Sequence, residues 1–124
     1  MLNIMNNNIS RILLAICLTM LISAAYSEVL ADDYLFIDVD DTEVYKIDAD
    51  TYQGYDWVIA SMTDQTIVKY EGKENKFGEK NTDLTTQLIK FKGLKKGKTI
   101  VTLNYIKQGE SIPKKTRKLV IRVY

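Results

Sequence analysis

The sequence predicts an all-β fold, an antiparallel β-sandwich of about seven strands. Two observations predict it. Short segments in which apolar and polar residues alternate recur between residues 35 and 124, and turn-forming residues separate them. Very little of this region has a helical pattern. Alternation with a period of two places one set of side chains on a buried face and the other in solvent, so each segment reads as a half-buried strand.

The first half of this region contains four predicted strands. Apolar residues at every second position predict the first one, at Leu35, Ile37 and Val39. Residues 43–47 are rich in β-forming residues and predict the second. Residues 57–59 follow a turn that contains glycine, and residues 67–70 form a further apolar segment. The polar stretch that follows, residues 71–83, is too charged for a core strand, and we expect a mobile loop there.

The second half contains three predicted strands, at residues 87–92, 99–106 and 118–124. Gly97 is expected to take a positive φ in the turn before the second of these, and Pro113 closes the loop before the third. Seven short strands with turns at this spacing are typical of an immunoglobulin-like sandwich. The residues expected to face its core are Ile89, Phe91, Val101, Leu103, Tyr105, Leu119, Ile121 and Val123.

The N-terminus has the pattern of a secretory signal peptide. One positive charge, at Arg11, precedes a mostly apolar segment at residues 12–24, and small residues follow it. We therefore expect a signal peptide at residues 1–27, with cleavage as late as residue 31, and a domain at residues 32–124. A retained membrane anchor or a buried helix is the alternative. Export would remove Cys17, the only cysteine, and leave a domain without disulfides.

Several residue types that catalysis needs are missing. The chain has no histidine, and its one cysteine lies in the predicted signal peptide, which excludes Ser-His-Asp and Cys-His nucleophiles and His/Cys zinc sites. The glycines are scattered singly, so there is no phosphate-binding loop. Asp38, Asp40 and Glu43 do not fit an EF-hand loop, and we interpret them as the exposed side of a strand. We expect no metal, no cofactor and no enzymatic activity; a carboxylate-pair hydrolase needs a deeper cleft than so small a domain offers.

Charge is balanced overall, with a net charge of +1, but unevenly distributed. Residues 32–64 contain 10 acidic residues and one lysine, whereas residues 86–124 contain 11 Lys or Arg and one glutamate. The two halves interleave in a sandwich, so opposite charges can neutralise each other across strands. The alternative is a basic face for an acidic partner. The small net charge and the export signal argue against nucleic acid as that partner.

The segment before the third predicted strand carries the most specific pattern. Trp57 is placed where such sandwiches often bury a tryptophan, and Gly54 permits the chain to reverse. The whole segment, DTYQGYDW at residues 50–57, resembles the N-P-T-T-G-[YF]-x-W loop of the chagasin-like inhibitors of papain-type cysteine proteases. Downstream, residues 90–105 resemble the aromatic strand, glycine turn and apolar strand of that family. Lys107, Gln108 and Gly109 stand where the family has Arg-Pro-Trp.

This resemblance implies a reversible, competitive inhibitor that occludes the cleft of a papain-like cysteine protease with three loops at one end of the sandwich. The loops would lie at residues 50–55, within residues 71–86, and around residues 107–111. The resemblance also implies a monomer that is secreted or held in the lumen of a lysosome-like compartment, or in a periplasm if bacterial. The implied protease-binding residues are Asp50, Thr51, Tyr52, Gln53, Gly54, Tyr55, Gly78, Lys107, Gln108 and Gly109.

The sequence differs from the family pattern near two of these loops, and a second function stays open. Tyr52 and Gln53 replace a pair of threonines, which puts a bulky ring close to the expected contact. Lys114 and Lys115 lie just beyond the third loop, where they would favour a protease with an acidic cleft rim or simply keep the protein soluble. The alternative function is an exported immunoglobulin-like binding or adhesion module, since fold alone does not fix function. Such a module could bind through a sheet face, whereas inhibition needs the first and third loops to lie together at one end.

Overall fold

The computed structural model describes Ala31–Tyr124, so the predicted signal peptide lies outside the described residues. The described part is all-β except for a single 3₁₀ turn at Thr51–Gln53. It contains no helix long and apolar enough to span a membrane. Its strands are β1 (Asp33–Ile37), β2 (Thr42–Ala49), β3 (Tyr55–Met62), β4 (Val68–Lys76), β5 (Thr85–Gly93), β6 (Gly97–Lys107) and β7 (Lys115–Val123).

The strands form two sheets, as the sandwich prediction required. The first sheet has the order β1-β7-β6-β3 and the second the order β2-β5-β4. All pairings are antiparallel except that of β1 with β7, which is parallel. The exception arises because β1 and β2 lie in different sheets, so β1 joins β7 instead of forming a hairpin with β2. The predicted immunoglobulin-like sandwich is confirmed, with this one parallel pairing added.

The core lies between the sheets and is made by the alternating residues of each strand. Trp57 is 2% exposed, and all the residues predicted to face inward on β5, β6 and β7 are buried. Ile37 of β1 is buried too, whereas Leu35 and Val39 are partly buried against the same core. Burying each aliphatic side chain contributes about 1.5–3 kcal/mol, so this alternation supplies most of what holds the sheets together.

The prediction for residues 71–83 is wrong in its first half. Strand β4 continues to Lys76 and pairs with β5 along its whole length, with a bulge between Tyr70 and Gly72. Because β4 is the edge of the second sheet, most of its side chains lie in solvent and can be charged without any cost of burial. Only residues 77–84 form a loop.

The acidic cluster also lies elsewhere than predicted. Asp38 and Asp40 belong to the turn between β1 and β2, and Asp40 takes a positive φ of 71° there. The Asp40 N–H donates to the carbonyl of Gly93 over 2.9 Å, which packs the turn onto β5. Only Glu43 lies on a strand. Among residues 31–124 no group of three His, Cys, Asp or Glu residues is placed to hold a metal ion.

Candidate functional site

Three loops meet at one end of the sandwich, and we call this the loop end. Loop 1 is residues 50–54 between β2 and β3, loop 2 is residues 77–84 between β4 and β5, and loop 3 is residues 108–114 between β6 and β7. The antiparallel pairing places them together, because Ala49 pairs with Thr85 and Tyr55 pairs with Lys107. The remaining turns lie at the opposite end.

Loop 1 is a rigid turn. The Gln53 N–H donates to the Asp50 carbonyl over 3.2 Å, the Gly54 N–H to the Thr51 carbonyl over 3.0 Å and the Tyr55 N–H to the Asp50 carbonyl over 3.1 Å. Gly54 has φ +88°, a left-handed conformation that other residues adopt at a cost, so the predicted role of this glycine is confirmed. The Asp50 N–H donates to the hydroxyl of Tyr105 over 2.8 Å and fixes the start of the loop on β6.

Loop 3 is bound to loop 1 through the backbone. The Gln108 N–H donates to the carbonyl of Gly54 over 2.8 Å. Loop 3 then reverses in a tight turn, in which the Glu110 N–H donates to the carbonyl of Lys107 over 3.0 Å. The predicted loop residues 50–54 and 107–109 therefore lie side by side at one end of the sandwich.

Loop 2 contacts loop 1 from the other side. The rings of Tyr52 and Phe77 meet edge to face with centroids 6.3 Å apart, and the hydroxyls of Thr51 and Thr85 share a hydrogen bond. Loop 2 also folds on itself, since the Asp83 carboxylate accepts from the Lys80 N–H over 3.0 Å. A side chain at Gly78 would collide with that of Asp83, so Gly78 has a structural role in closing the loop.

A stack of aromatic rings lies beneath loops 1 and 3. Tyr55 stacks on Tyr105 with centroids 4.8 Å apart, and the centroid of Trp57 also lies 4.8 Å from that of Tyr105. The Trp57 indole N–H donates to the Asp48 carbonyl over 2.9 Å, which anchors the end of β2. Tyr55 is half-buried in this stack, so it supports the loops and exposes only part of its ring.

A partly buried polar network centred on Gln87 lies between β3 and β4, the edge strands of the two sheets. Gln87 is fully buried; its side-chain carbonyl accepts from the Trp57 N–H over 3.0 Å, and its NH₂ group donates to Asp56 and to Asn75. The Lys73 ammonium lies 2.6 Å from the same Asp56 carboxylate. The network joins β3 to β4 and β5, which belong to the other sheet and form no backbone ladder with β3. Sequence reasoning missed it, because Gln87 looks like an ordinary strand residue.

A second link joins the sheets between β2 and β7. The Tyr45 hydroxyl donates to the Asp33 carboxylate over 3.0 Å and accepts from the Arg117 guanidinium over 3.2 Å. Burial raises the pKa of Tyr45, and the hydrogen bond to Tyr45 raises the pKa of Arg117. Both groups therefore stay protonated at and well above neutral pH, and Arg117 remains a cation.

The predicted binding residues differ in exposure. Tyr52, Gln53, Gln108 and Gly109 are exposed, whereas Asp50, Thr51, Gly54, Tyr55, Gly78 and Lys107 are half-buried. Sequence reasoning missed three exposed apolar residues of loops 2 and 3: Phe77 at 62%, Leu84 at 54% and Ile112 at 80% exposed. The sequence signal for them was an isolated apolar residue within an otherwise polar loop segment. Together with Tyr52 these side chains give the loop end an apolar surface.

These features define an immunoglobulin-like sandwich in which three loops meet at one end. No protein-family model and no curated protein matches the sequence. Among solved structures, the chain is similar to the cysteine protease inhibitor EhICP2 from Entamoeba histolytica, with 18% identity and a TM-score of 0.61 over 76% of this chain and 88% of that one. It is also similar to amebosin, with 16% identity and a TM-score of 0.58 over 76% and 90% of the two chains. The resemblance to the chagasin-like inhibitors is thus confirmed at the level of the fold.

Proposed function

We propose that this protein is a reversible, competitive inhibitor of papain-type cysteine proteases and that its loop end occludes the protease cleft. One observation carries the proposal: loops 1 and 3, the segments that resemble the inhibitory loops of the family, are hydrogen-bonded to each other through Gln108 and Gly54. The fold similarity to a cysteine protease inhibitor supports the same assignment.

Inhibition of this kind requires binding and no chemistry from the inhibitor. Loop 1 is held by hydrogen bonds at both ends, so docking freezes few additional degrees of freedom. Its 3₁₀ turn differs from the extended backbone that a protease needs across its catalytic residues, which explains why the loop would resist cleavage. The chain therefore acts as a binding protein and not as an enzyme.

The exposed side chains of the loop end are the proposed contacts. Tyr52 offers a large ring with few rotamers, a type of residue that often dominates binding energy. In loop 3 the family tryptophan is absent, and Ile112 supplies the exposed apolar side chain instead. Phe77 and Leu84 extend the apolar surface through loop 2. Gln53, Gln108 and Gly109 add polar contacts around it.

The test is inhibition of a panel of papain-type proteases by the purified protein. We expect competitive inhibition, full recovery of protease activity on dilution, and an inhibitor that remains uncleaved after prolonged incubation. A serine protease serves as the control that should not be inhibited. Absence of inhibition across the panel at micromolar concentration would contradict the proposal.

The proposed setting is extracytoplasmic. Residues 1–27 would direct export and be removed, and the domain would act as a monomer without a membrane or nucleic-acid partner. Secretion, a lysosome-like lumen and a periplasm are all compatible with a domain that contains no cysteine. Sequencing the N-terminus of the exported protein tests the cleavage at residue 27 or 31.

A second candidate function is an exported binding or adhesion module. One observation favours it: Tyr34, Phe36 and Tyr124 are each more than half exposed and form a row of rings, with centroids 6.4 and 6.1 Å apart, on the outer face of the first sheet. This patch is separate from the loop end. If the patch carries the function, Phe36→Ser will abolish binding to the partner, whereas protease inhibition requires no contribution from it.

A further inference from the structure

A row of basic residues continues from loop 3 along the inner face of the first sheet. We call Lys107, Lys114, Lys115 and Arg117 the basic strip. Lys115 pairs in register with Tyr105, and Lys107 with Tyr55, so the cations lie on the strands next to the aromatic stack. The strip therefore begins at the proposed contact loops and runs away from them along β7.

Aromatic rings hold these cations in place. The Lys114 ammonium lies 5.0 Å from the centroid of Tyr55, and that of Lys107 lies 5.8 Å from it. The Lys115 ammonium lies 4.7 Å from the centroid of Tyr105, and the Arg117 guanidinium 5.8 Å from that of Trp57. A cation is attracted to the face of an aromatic ring at such distances. These contacts orient the charged groups without neutralising them.

Within residues 31–124 no carboxylate lies within 4.0 Å of a cation of the strip, and the nearby Asp33 and Asp32 attract Arg117 at longer range. In this described part of the chain the one ion pair joins Lys73 of β4 to Asp56 of β3, at the edges of the two sheets farthest from β7 and β2. Arg117 is hydrogen-bonded to the neutral Tyr45 hydroxyl, and Asp33 lies beyond that hydroxyl. Asp48 lies on the facing wall, where it accepts from the Thr86 hydroxyl over 3.2 Å. The three lysines of the strip are thus available to a negatively charged partner.

The strip lines one wall of a groove. Lys115 and Arg117 line the groove from β7, and Lys46 and Asp48 line it from β2. Its other lining residues include Trp57, Tyr105 and Leu84 of loop 2. Among residues 31–124, no strand pairs with the outer edge of β7 at residues 115–117, because the ladder with β1 begins at Leu119 and Asp32 bonds only the backbone of Lys118. An extended segment can therefore lie along β7 with its side chains toward the cations.

We propose that the basic strip binds an acidic segment of the target protease, located beside its cleft. This inference rests on the proposed function, since it places the same partner across the loop end and the groove. Lys107 and Lys114 lie against the ring of Tyr55, next to loops 1 and 3, and this proximity supports the inference. A protein bound to loops 1 and 3 must also approach these cations. Carboxylates there accelerate association and select among proteases by the charge of the cleft rim.

The main test compares two charge-reversing variants. Lys114→Glu/Lys115→Glu reverses the strip, whereas Lys95→Glu/Lys96→Glu changes the net charge equally in the exposed turn between β5 and β6, at the opposite end. At low salt, association of the first variant with an inhibited protease should be about tenfold slower or more, with its salt dependence largely lost. The control variant should keep near wild-type rates. Equal rates and equal salt dependence for the two variants would overturn the proposal.

A second measurement does not depend on inhibition. A hexaglutamate peptide is titrated into the wild-type protein, and backbone amide chemical shifts are followed by NMR. We expect saturable shifts at residues 115–117 that disappear in Lys114→Glu/Lys115→Glu and persist in the control variant. Shifts spread over all lysines, or none, would reject the strip as an acidic-segment site. Lack of inhibition together with localised shifts would instead reject the protease as the partner and leave the strip intact.

Discussion

Tyr52 and Trp57 lie on either side of Gly54 and have opposite environments. Tyr52 is 50% exposed and contacts Phe77 only at a ring edge, whereas Trp57 is 2% exposed and donates a hydrogen bond to the Asp48 carbonyl. One short segment therefore supplies both a proposed contact and a core anchor. Their environments predict separable effects of substitution.

Substitution of Tyr52 by alanine should weaken inhibition about tenfold or more and leave the melting temperature almost unchanged, because it removes an exposed ring. Trp57→Ala should instead lower the free energy of unfolding by about 3–5 kcal/mol, since it leaves a large cavity in the core. Inhibition kinetics and thermal unfolding measure the two effects. If Tyr52→Ala proves as destabilising as Trp57→Ala, the exposed position of loop 1 is wrong.

For single residues, the sequence predicts those roles that depend on local chemistry. Gly54 was predictable because a sharp reversal needs a positive φ, and Trp57 because its position in the strand pattern faces inward. An apolar residue inside a polar segment marked Phe77 and Ile112, but this signal does not predict their exposure, because such a residue can pack on the core or lie in solvent. Only the placement of the loops decides between these outcomes.

Among the elements, β3 and β4 are joined without a backbone ladder. They are the edge strands of different sheets, and Gln87 links them by bonding the Trp57 N–H, Asp56 and Asn75. Alternation predicted most strand cores, because burial of one face imposes a period of two. It could not predict that β4 extends into a charged segment, since an edge strand needs no apolar face.

Gln87→Leu should be among the more destabilising substitutions in the second sheet. It leaves the Trp57 N–H buried without a partner, at a cost of about 1–3 kcal/mol, and removes a donor to Asp56. It should also loosen loops 1 and 2 and raise the inhibition constant. The matched control is Gln65→Leu, in an exposed turn at the other end. Chemical denaturation of both variants is the measurement, and equal midpoints would contradict the role given to Gln87.

The turn before β4 predicts a pH effect. The Asp64 carboxylate accepts from the Thr66 hydroxyl over 2.6 Å and from its N–H over 2.9 Å, and these bonds lower the pKa of Asp64 below its ordinary value of 3.8. A lowered pKa means that the bonds stabilise the turn above the ordinary pKa and are lost as pH falls through the folded one. Thr66→Val should raise the pKa of Asp64 toward 3.8, as measured by NMR titration. An unchanged pKa would show that the Thr66 hydroxyl is not what lowers the pKa of Asp64.

Over the whole molecule, opposite charges are separated along the chain and interleaved by the fold. The acidic first half and the basic second half contribute strands to both sheets, yet residues 31–124 contain one ion pair within 4.0 Å. Neutralisation between the halves is therefore a diffuse effect of solvated charges, while the core supplies the stability. The basic strip at the loop end is the exception, because its lysines lie against aromatic rings and outside that ion pair, and we propose it as a binding surface.

Salt should therefore separate stability from binding. Solvent-exposed charges are screened as the Debye length shortens, and exposed pairs contribute about 0–1 kcal/mol each. Between about 0.05 and 0.5 M NaCl we expect the melting temperature to change by less than about 4 °C, the shift that about 1 kcal/mol produces in a domain of this size. Association with an inhibited protease should slow about tenfold over the same range. A fall in melting temperature of about 10 °C would show that cross-strand charge pairs, and not the alternating core, hold the two sheets together.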